Sequence, residues 1–318
     1  MCSLDIGQIG SCGVRINDGK HIRDTDNQKI VASHFDPIEK KPMYHFFPNA
    51  KTYSIGMLGC NIECQFCQNY HITQRPYIDS YGSSVDIDIP SLINKMKNNN
   101  STIMSYTYSE PIVWQDVMID IAKNIKKEGM YNLLVTNGTF SEESLLSISP
   151  LIDAINIDIK GDDAFYSTYA KAPHAFESVK RSIEHFVHAS DAIVEVTTLI
   201  IEGVHTEKMI KNIGVQLKDI GVKVWHLSKF FPSYHMMHHV PTSTEYLEEM
   251  VRVATESGIE YIYKGNTSLN DSKIITCPTC GTLIERATSQ LLVDKDGHLY
   301  CPSCHTSIYG KFSCSQVQ

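Results

Sequence analysis

Three cysteines, Cys60, Cys64 and Cys67, stand in the spacing CxxxCxxC just after a short apolar run. A 4Fe-4S cluster is ordinarily held by four thiolates, so three in one loop leave one iron open to another ligand. With His71, a little further on, the same thiols could instead build a Cys3His zinc site. The aromatic Phe66 directly before the third cysteine and Gly59 directly before the first speak against zinc. A second set, Cys277, Cys280, Cys301 and Cys304, forms two CPxC knuckles twenty residues apart. That is the pattern of a tetrahedral structural zinc site, with a rubredoxin-like iron or an auxiliary cluster as the rivals.

Of ten cysteines in 318 residues, eight fall in or beside these groups, counting Cys314. Clustering of this kind points to metal in a reducing compartment rather than to the disulfides of a secreted domain. No apolar run approaches the ~20 residues that span a bilayer, and the opening residues have neither a basic nor an apolar signal region, so a cytoplasmic protein with no membrane partner is expected. A formal charge of −8 argues against broad nucleic-acid binding. The 42 % hydrophobic content is ordinary for a chain that buries a core.

The elements that must position the thiols follow a rhythm that begins after residue 50. Residues 1–50 lack periodicity and read as a loop-rich leader. Short apolar runs at 53–58, 102–108, 132–135, 153–159, 193–201, 222–228 and 261–263 suit buried strands. Helical patterns lie between them at 91–98, 112–127, 142–148, 176–188, 206–219 and 244–256; Ser141 reads as the start of one of these, with acidic residues in its first turn. Alternating strands and helices predict an α/β fold over 51–270, a partial or full (β/α) barrel, with an open doubly wound sheet as the alternative. A zinc ribbon is expected over 271–318. Barrel active sites sit at the carboxyl ends of the strands. There the sequence places Cys60, then Thr107, Ser109 and Glu110, Thr136 and Asn137, Asp158 and Lys160, Thr197 and Thr198, His226 and Ser228, and Asn266. Singly, each reads equally well as a turn or cap residue. Asp158 and Lys160 could merely pair with each other. The run from Tyr234 to His239 offers soft metal ligands, but contiguous histidines in a polar loop seldom converge.

The cysteine loop resembles the signature of the radical SAM superfamily, CxxxCxΦC with an aromatic, here Phe66, at Φ. The resemblance implies that Cys60, Cys64 and Cys67 hold a 4Fe-4S cluster whose open iron is chelated by S-adenosylmethionine (SAM). It also implies that Glu110, at the end of the second strand, holds the methionyl ammonium and Phe66 flanks the adenine; Thr107, Asn137 and Asp158 are weaker candidates for SAM contact. The block from Asp36 to Pro42, with Tyr44, Gly59, Asn69, Thr136, Asn137, Ile157 to Lys160, Trp225, His226, Phe230 to Pro232 and the terminal knuckles, is similar to the AmmeMemoRadiSam-system enzymes, near the activating enzymes of pyruvate formate-lyase. Two departures are visible. Those relatives usually carry a further cysteine pair ahead of Cys2 and Cys12, and Asn49 stands where they have glycine. The implied activity is oxidoreductase-type: an electron from a donor such as flavodoxin or ferredoxin cleaves SAM, and a 5′-deoxyadenosyl radical abstracts hydrogen from a substrate. A glycyl radical enzyme or Memo-like proteins are the implied partners. A non-catalytic zinc-binding interaction module is the rival from another class.

Overall fold

The computed structural model describes residues 4–25, 29–75, 77–267, 273–286 and 292–313; Cys2 and Cys314 lie outside these. All seven expected strands form, and one more joins them. The leader contributes a hairpin, β1 (Arg15–Asn17) and β2 (Ile22–Asp24), and then β3 (Ala32–Pro37). The repeating units follow as β4 (Lys51–Gly56), α1 (Tyr70–Thr73), α2 (Ile89–Asn98), β5 (Ile103–Tyr106), α3 (Gln115–Lys127), β6 (Tyr131–Thr136), α4 (Glu142–Ile148) and β7 (Ala154–Asp158). After these come α5 (Asp163–Thr168), α6 (Ala175–Ala189), β8 (Ile193–Ile200), α7 (Glu207–Ile220), β9 (Val224–Lys229), α8 (Thr244–Thr255) and β10 (Tyr261–Gly265). Two small hairpins, β11 (Ile274–Thr276) with β12 (Leu283–Glu285) and β13 (Leu299–Tyr300) with β14 (Ser307–Ile308), end the described chain.

Strands β3 to β10 make one eight-stranded sheet in sequence order. From β4 to β10 every neighbour is parallel; β3 alone runs antiparallel, on β4. Parallel order with a helix in every crossover is what short apolar strands separated by amphipathic helices produce. Among the described residues β3 and β10 pair with no further strand, so the barrel is partial. The leader is thus less loop-like than its sequence suggests. In β3 Ser, His and Asp break the apolar run, as suits an edge strand that is half exposed.

Residues alternate across each strand. Ile55, Met104, Tyr106, Leu134, Ile155, Ile157, Val194, Val196, Trp225 and Leu227 pack outward with the helices in one large core. The opposite face turns to the barrel interior, where Ile103, Leu133 and Ala154 meet Met43, Phe46 and Phe47 from the segment before β4. That segment closes the floor. The terminal hairpins pack beneath it, with Ile275, Ile284, Leu299, Ile308 and Phe312 against Tyr44, Tyr261 and Tyr263. His45 is the joint: its ring nitrogens lie 2.6 Å from the Tyr309 carbonyl and 2.8 Å from the Tyr263 hydroxyl. Asn49 has φ 67°, a left-handed conformation that asparagine tolerates better than most residues.

Candidate active site and metal centre

The carboxyl ends of the parallel strands open into a cavity of about 370 Å³. Cys60, Cys64, Cys67 and Phe66 line it from the loop after β4, and Thr107 and Glu110 from the end of β5. Thr136 and Asn137 (β6), Asp158 and Lys160 (β7), Thr197 (β8), Ser228 (β9) and Asn266 (after β10) complete the ring. The polar strand-end series therefore converges, with two exceptions. Thr198 turns outward, where its hydroxyl bonds to the Ile159 carbonyl at 2.8 Å and receives the Trp225 indole N–H at 3.0 Å. His226 lies one layer below Ser228, fully buried, with Nε2 2.6 Å from Glu195 Oε2. It does not reach the cavity, because it is not the last inward-facing residue of its strand.

The cysteine loop is tied on several sides. Gly59 N–H donates to Ile72 O at 2.8 Å, and the Glu63 and Gln65 amides to the carbonyls of Ala170 (3.0 Å) and Tyr169 (2.8 Å). The Ser233 hydroxyl reaches the Cys67 carbonyl at 2.9 Å. Gly59 has φ +99°, and a Cβ there would sit 2.6 Å from a Val14 methyl and 2.7 Å from the Cys12 carbonyl. Only glycine lets the leader approach so closely just before Cys60. Phe66 is buried with its ring centroid 5.6 Å from that of Phe165.

Burial pushes the Cys64 thiol up to about 12 and that of Cys60 well above its ordinary value, so each becomes a thiolate only with a cation to offset the charge. Cys67 Sγ lies 3.2 Å from the Thr73 hydroxyl, and the Asn137 side-chain amide 3.8 Å from Cys60 Sγ. Glu110 is 3 % exposed, and burial pushes its carboxyl up to about 7 although three donors meet it. Oε1 takes the Thr136 hydroxyl at 2.7 Å and the Ile112 amide at 3.2 Å, and Oε2 the Asn137 amide at 2.7 Å. A carboxylate accepts about four such bonds, so one acceptor position remains for a ligand. Lys160 Nζ lies 2.6 Å from Asp158 Oδ2. Burial opposes the lysine charge, but the neighbouring Asp158 outweighs it and holds the ammonium protonated.

The terminal cysteines are arranged differently. Their sulfurs all lie within 4.8 Å of one another, with Cys277–Cys304 and Cys280–Cys301 at 3.6 Å. Zinc–sulfur bonds of about 2.3 Å in a tetrahedron put sulfurs about 3.8 Å apart. Four thiols so placed fit one ion. Among the described residues this is the only group of three or more such ligands gathered that tightly. Cys60, Cys64, Cys67 and His71 are not all so close, and His71 points to solvent. A looser trio suits thiolates on separate irons better than a single zinc. Among the described residues, the histidines between Tyr234 and His239 form no ligand group either.

Sequence reasoning set Lys40, Lys41 and Tyr108 only within stretches of family resemblance, not among the candidate site residues, yet they also line the cavity. Asp36, four and five residues ahead of the two lysines, was the available signal, yet a charged run in a loop normally reads as solvated. Asn61 was not among the candidate site residues either; its side-chain carbonyl accepts from the Asn137 amide at 2.8 Å, bracing that residue beside Cys60.

A sequence model of the radical SAM superfamily matches residues 54–214. An uncharacterized protein of Methanocaldococcus jannaschii is 32 % identical over 287 residues, 89 % of this chain and 84 % of the relative. A second protein of that organism, named provisionally as a glycyl-radical enzyme activating enzyme, is 26 % identical over 54 % of this chain and 71 % of its own length. Among solved structures, TYW1 with a lysine–pyruvate adduct superposes with TM-score 0.52 at 13 % identity, over 73 % of this chain and 82 % of that one. Streptococcus suis SuiB bound to S-adenosylmethionine gives 0.52 at 10 % identity, over 73 % and 53 %. Both show likeness of fold. The chain belongs to the radical SAM superfamily, whose members are generally enzymes that use a 4Fe-4S cluster, SAM and an electron donor. No helix among the described residues is long and apolar enough to cross a membrane.

Proposed function

We propose that the chain is a radical SAM enzyme in which Cys60, Cys64 and Cys67 hold the cluster and Glu110, Phe66, Thr107, Asn137 and Asp158 face SAM. The observation that carries this reading is the meeting of three cysteines and a buried carboxylate with an acceptor position to spare in one cavity at the strand ends. When bound and reduced, the cluster supplies the electron that cleaves SAM to methionine and a 5′-deoxyadenosyl radical, which takes hydrogen from the substrate. The chain's own residues bind, orient and exclude water. Glu110 receives the methionyl amine at its remaining acceptor position. Asn137 holds an N–H toward Cys60, and the Asp158–Lys160 pair places opposite charges on the cavity wall. Residues 51–270 would carry this chemistry, and 271–318 a zinc ribbon that braces the floor through His45 and Tyr309.

A second, narrower reading is activation of a glycyl radical enzyme. The provisional names of two M. jannaschii relatives, 26 % and 22 % identical, favour it. The test is anaerobic reconstitution with iron and sulfide. About four irons per chain and broad absorption near ~400 nm, both lost in Cys64→Ala while one zinc per chain stays, are the expected results. Zinc in place of iron at this loop would overturn the reading.

A further inference from the structure

A second cavity, of about 640 Å³, runs along the open side of the sheet between β3, which contributes His34 and Asp36, and the end of β10 at Gly265. Among the described residues no cysteine lines it. It shares Lys40, Lys41, Pro42, Tyr108, Ser228 and Asn266 with the cysteine-lined cavity, so these residues stand at the junction between the barrel's open side and its candidate reacting centre.

Lys41 is 4 % exposed. Its ammonium lies 3.0 Å from Asp36 Oδ2 and 4.8 Å above the Tyr108 ring. Asp36 also takes Lys40 at 3.1 Å and the Tyr108 hydroxyl at 3.0 Å. Two ammonium groups thus share one carboxylate; Lys40 is largely exposed to water, and Lys41 is the buried member of the pair. Glu39, whose Oε1 accepts from the Asn49 amide at 2.7 Å, lines the second cavity but not the junction with the first. An ammonium has three N–H donors, and Lys41 directs one of them at Asp36. Burying a charge with so few partners is costly, and a further acceptor would relieve that cost. Tyr108 is held at φ 69°, a strained conformation for a residue with a side chain, and its carbonyl accepts from the Asn69 side chain at 2.7 Å. The backbone of the residue whose ring lies beneath Lys41 is therefore tied to Asn69, two residues beyond Cys67.

We propose that Lys41, assisted by Lys40, receives an anionic group of the substrate, a carboxylate or a phosphate, where the two cavities meet. The inference rests on reading the neighbouring cavity as the radical SAM centre, and it adds the class of substrate. The anion takes the unused Lys41 donors, which orients the rest of the substrate toward the cysteines.

The test uses the reconstituted full chain with saturating SAM, so that small anions do not occupy the open iron. Methylphosphonate binding is followed by phosphorus NMR, with propionate and neutral propionamide as competitors. Saturable millimolar binding displaced by propionate but not by propionamide is expected, and the tighter of the two anions identifies phosphate or carboxylate as the group selected. Lys41→Met should weaken binding about tenfold or more, with Lys41→Arg restoring most of it. Asp36→Asn, which removes the competing carboxylate, should tighten binding and serves if Lys41→Met does not fold. Absence of saturable binding, equal displacement by propionamide, or unchanged affinity in Lys41→Met or Asp36→Asn would overturn the proposal. Assay of 5′-deoxyadenosine in the same wild-type preparation separates the two failures: SAM cleavage without anion binding strikes this inference alone, whereas loss of cleavage strikes the radical SAM reading.

Discussion

The backbone N–H of Asn137 donates to Glu110 Oε2 at 2.7 Å while its side-chain amide lies 3.8 Å from Cys60 Sγ. One residue at the end of β6 thus braces both a candidate cluster ligand and the candidate SAM-binding carboxylate.

Glu110→Gln tests the carboxylate. A glutamine must turn its NH2 toward one of the three donors from Thr136, Ile112 and Asn137, which replaces an attraction by a clash. Hydrogen bonds to a charged group are worth about 1.5–3 kcal/mol, so SAM should bind about tenfold or more weakly. Equilibrium dialysis with labelled SAM measures this, and an unchanged dissociation constant would remove Glu110 from the SAM site.

Asn137→Ala withdraws the N–H that faces Cys60. Donors near cluster sulfurs stabilise the more negative, reduced state. The midpoint potential, read by redox titration with electron paramagnetic resonance, is expected to fall; a rise or no change would mean that this amide does not address the cluster.

Gly59→Ala would force a Cβ into Val14 and the Cys12 carbonyl at a φ of +99°. A strained conformation of this type costs about 1–3 kcal/mol before the clash is counted. Reconstituted iron content should drop and unfolding should occur at lower temperature, with Gly82→Ala, where a Cβ meets nothing within 4 Å, as the neutral control.

Glu195 predicts a pH dependence. Burial alone would raise its carboxyl, but bonding to His226 outweighs that and holds it below 4.5, supported by the Tyr44 and His45 amides at 2.7 Å each. Its folded-state value is therefore depressed. The stability it contributes is present above the unfolded value and is lost as pH falls through the folded one. Glu195→Gln should cost about 3 kcal/mol at neutral pH. The acid limb of the stability curve below pH 4.5 should flatten in the variant, as urea titrations across pH would report.

The parallel order of β4 to β10 was legible because short apolar runs alternate with amphipathic helices, and the cavity because polar residues end those runs. Three kinds of feature were not. Edge strand β3 carries Ser33, His34 and Asp36 and has no apolar period to betray it. Depth along a strand was also hidden: His226 and Ser228 share a face, but only Ser228 is high enough to line the cavity, and the Glu195 that holds His226 lies 31 residues away in sequence. Lys41 escaped notice for a third reason. Its burial follows from where the segment before β4 seals the barrel, a tertiary fact that a charged loop sequence does not express.

The most direct test of the central claim is chromatographic and mass-spectrometric detection of 5′-deoxyadenosine after anaerobic reconstitution, reduction with dithionite and addition of SAM. The account predicts 5′-deoxyadenosine and methionine in equal amounts from the wild-type chain and neither from Cys64→Ala. A fully loaded wild-type cluster that yields no 5′-deoxyadenosine, or a Cys64→Ala variant that yields as much as wild type, would contradict it.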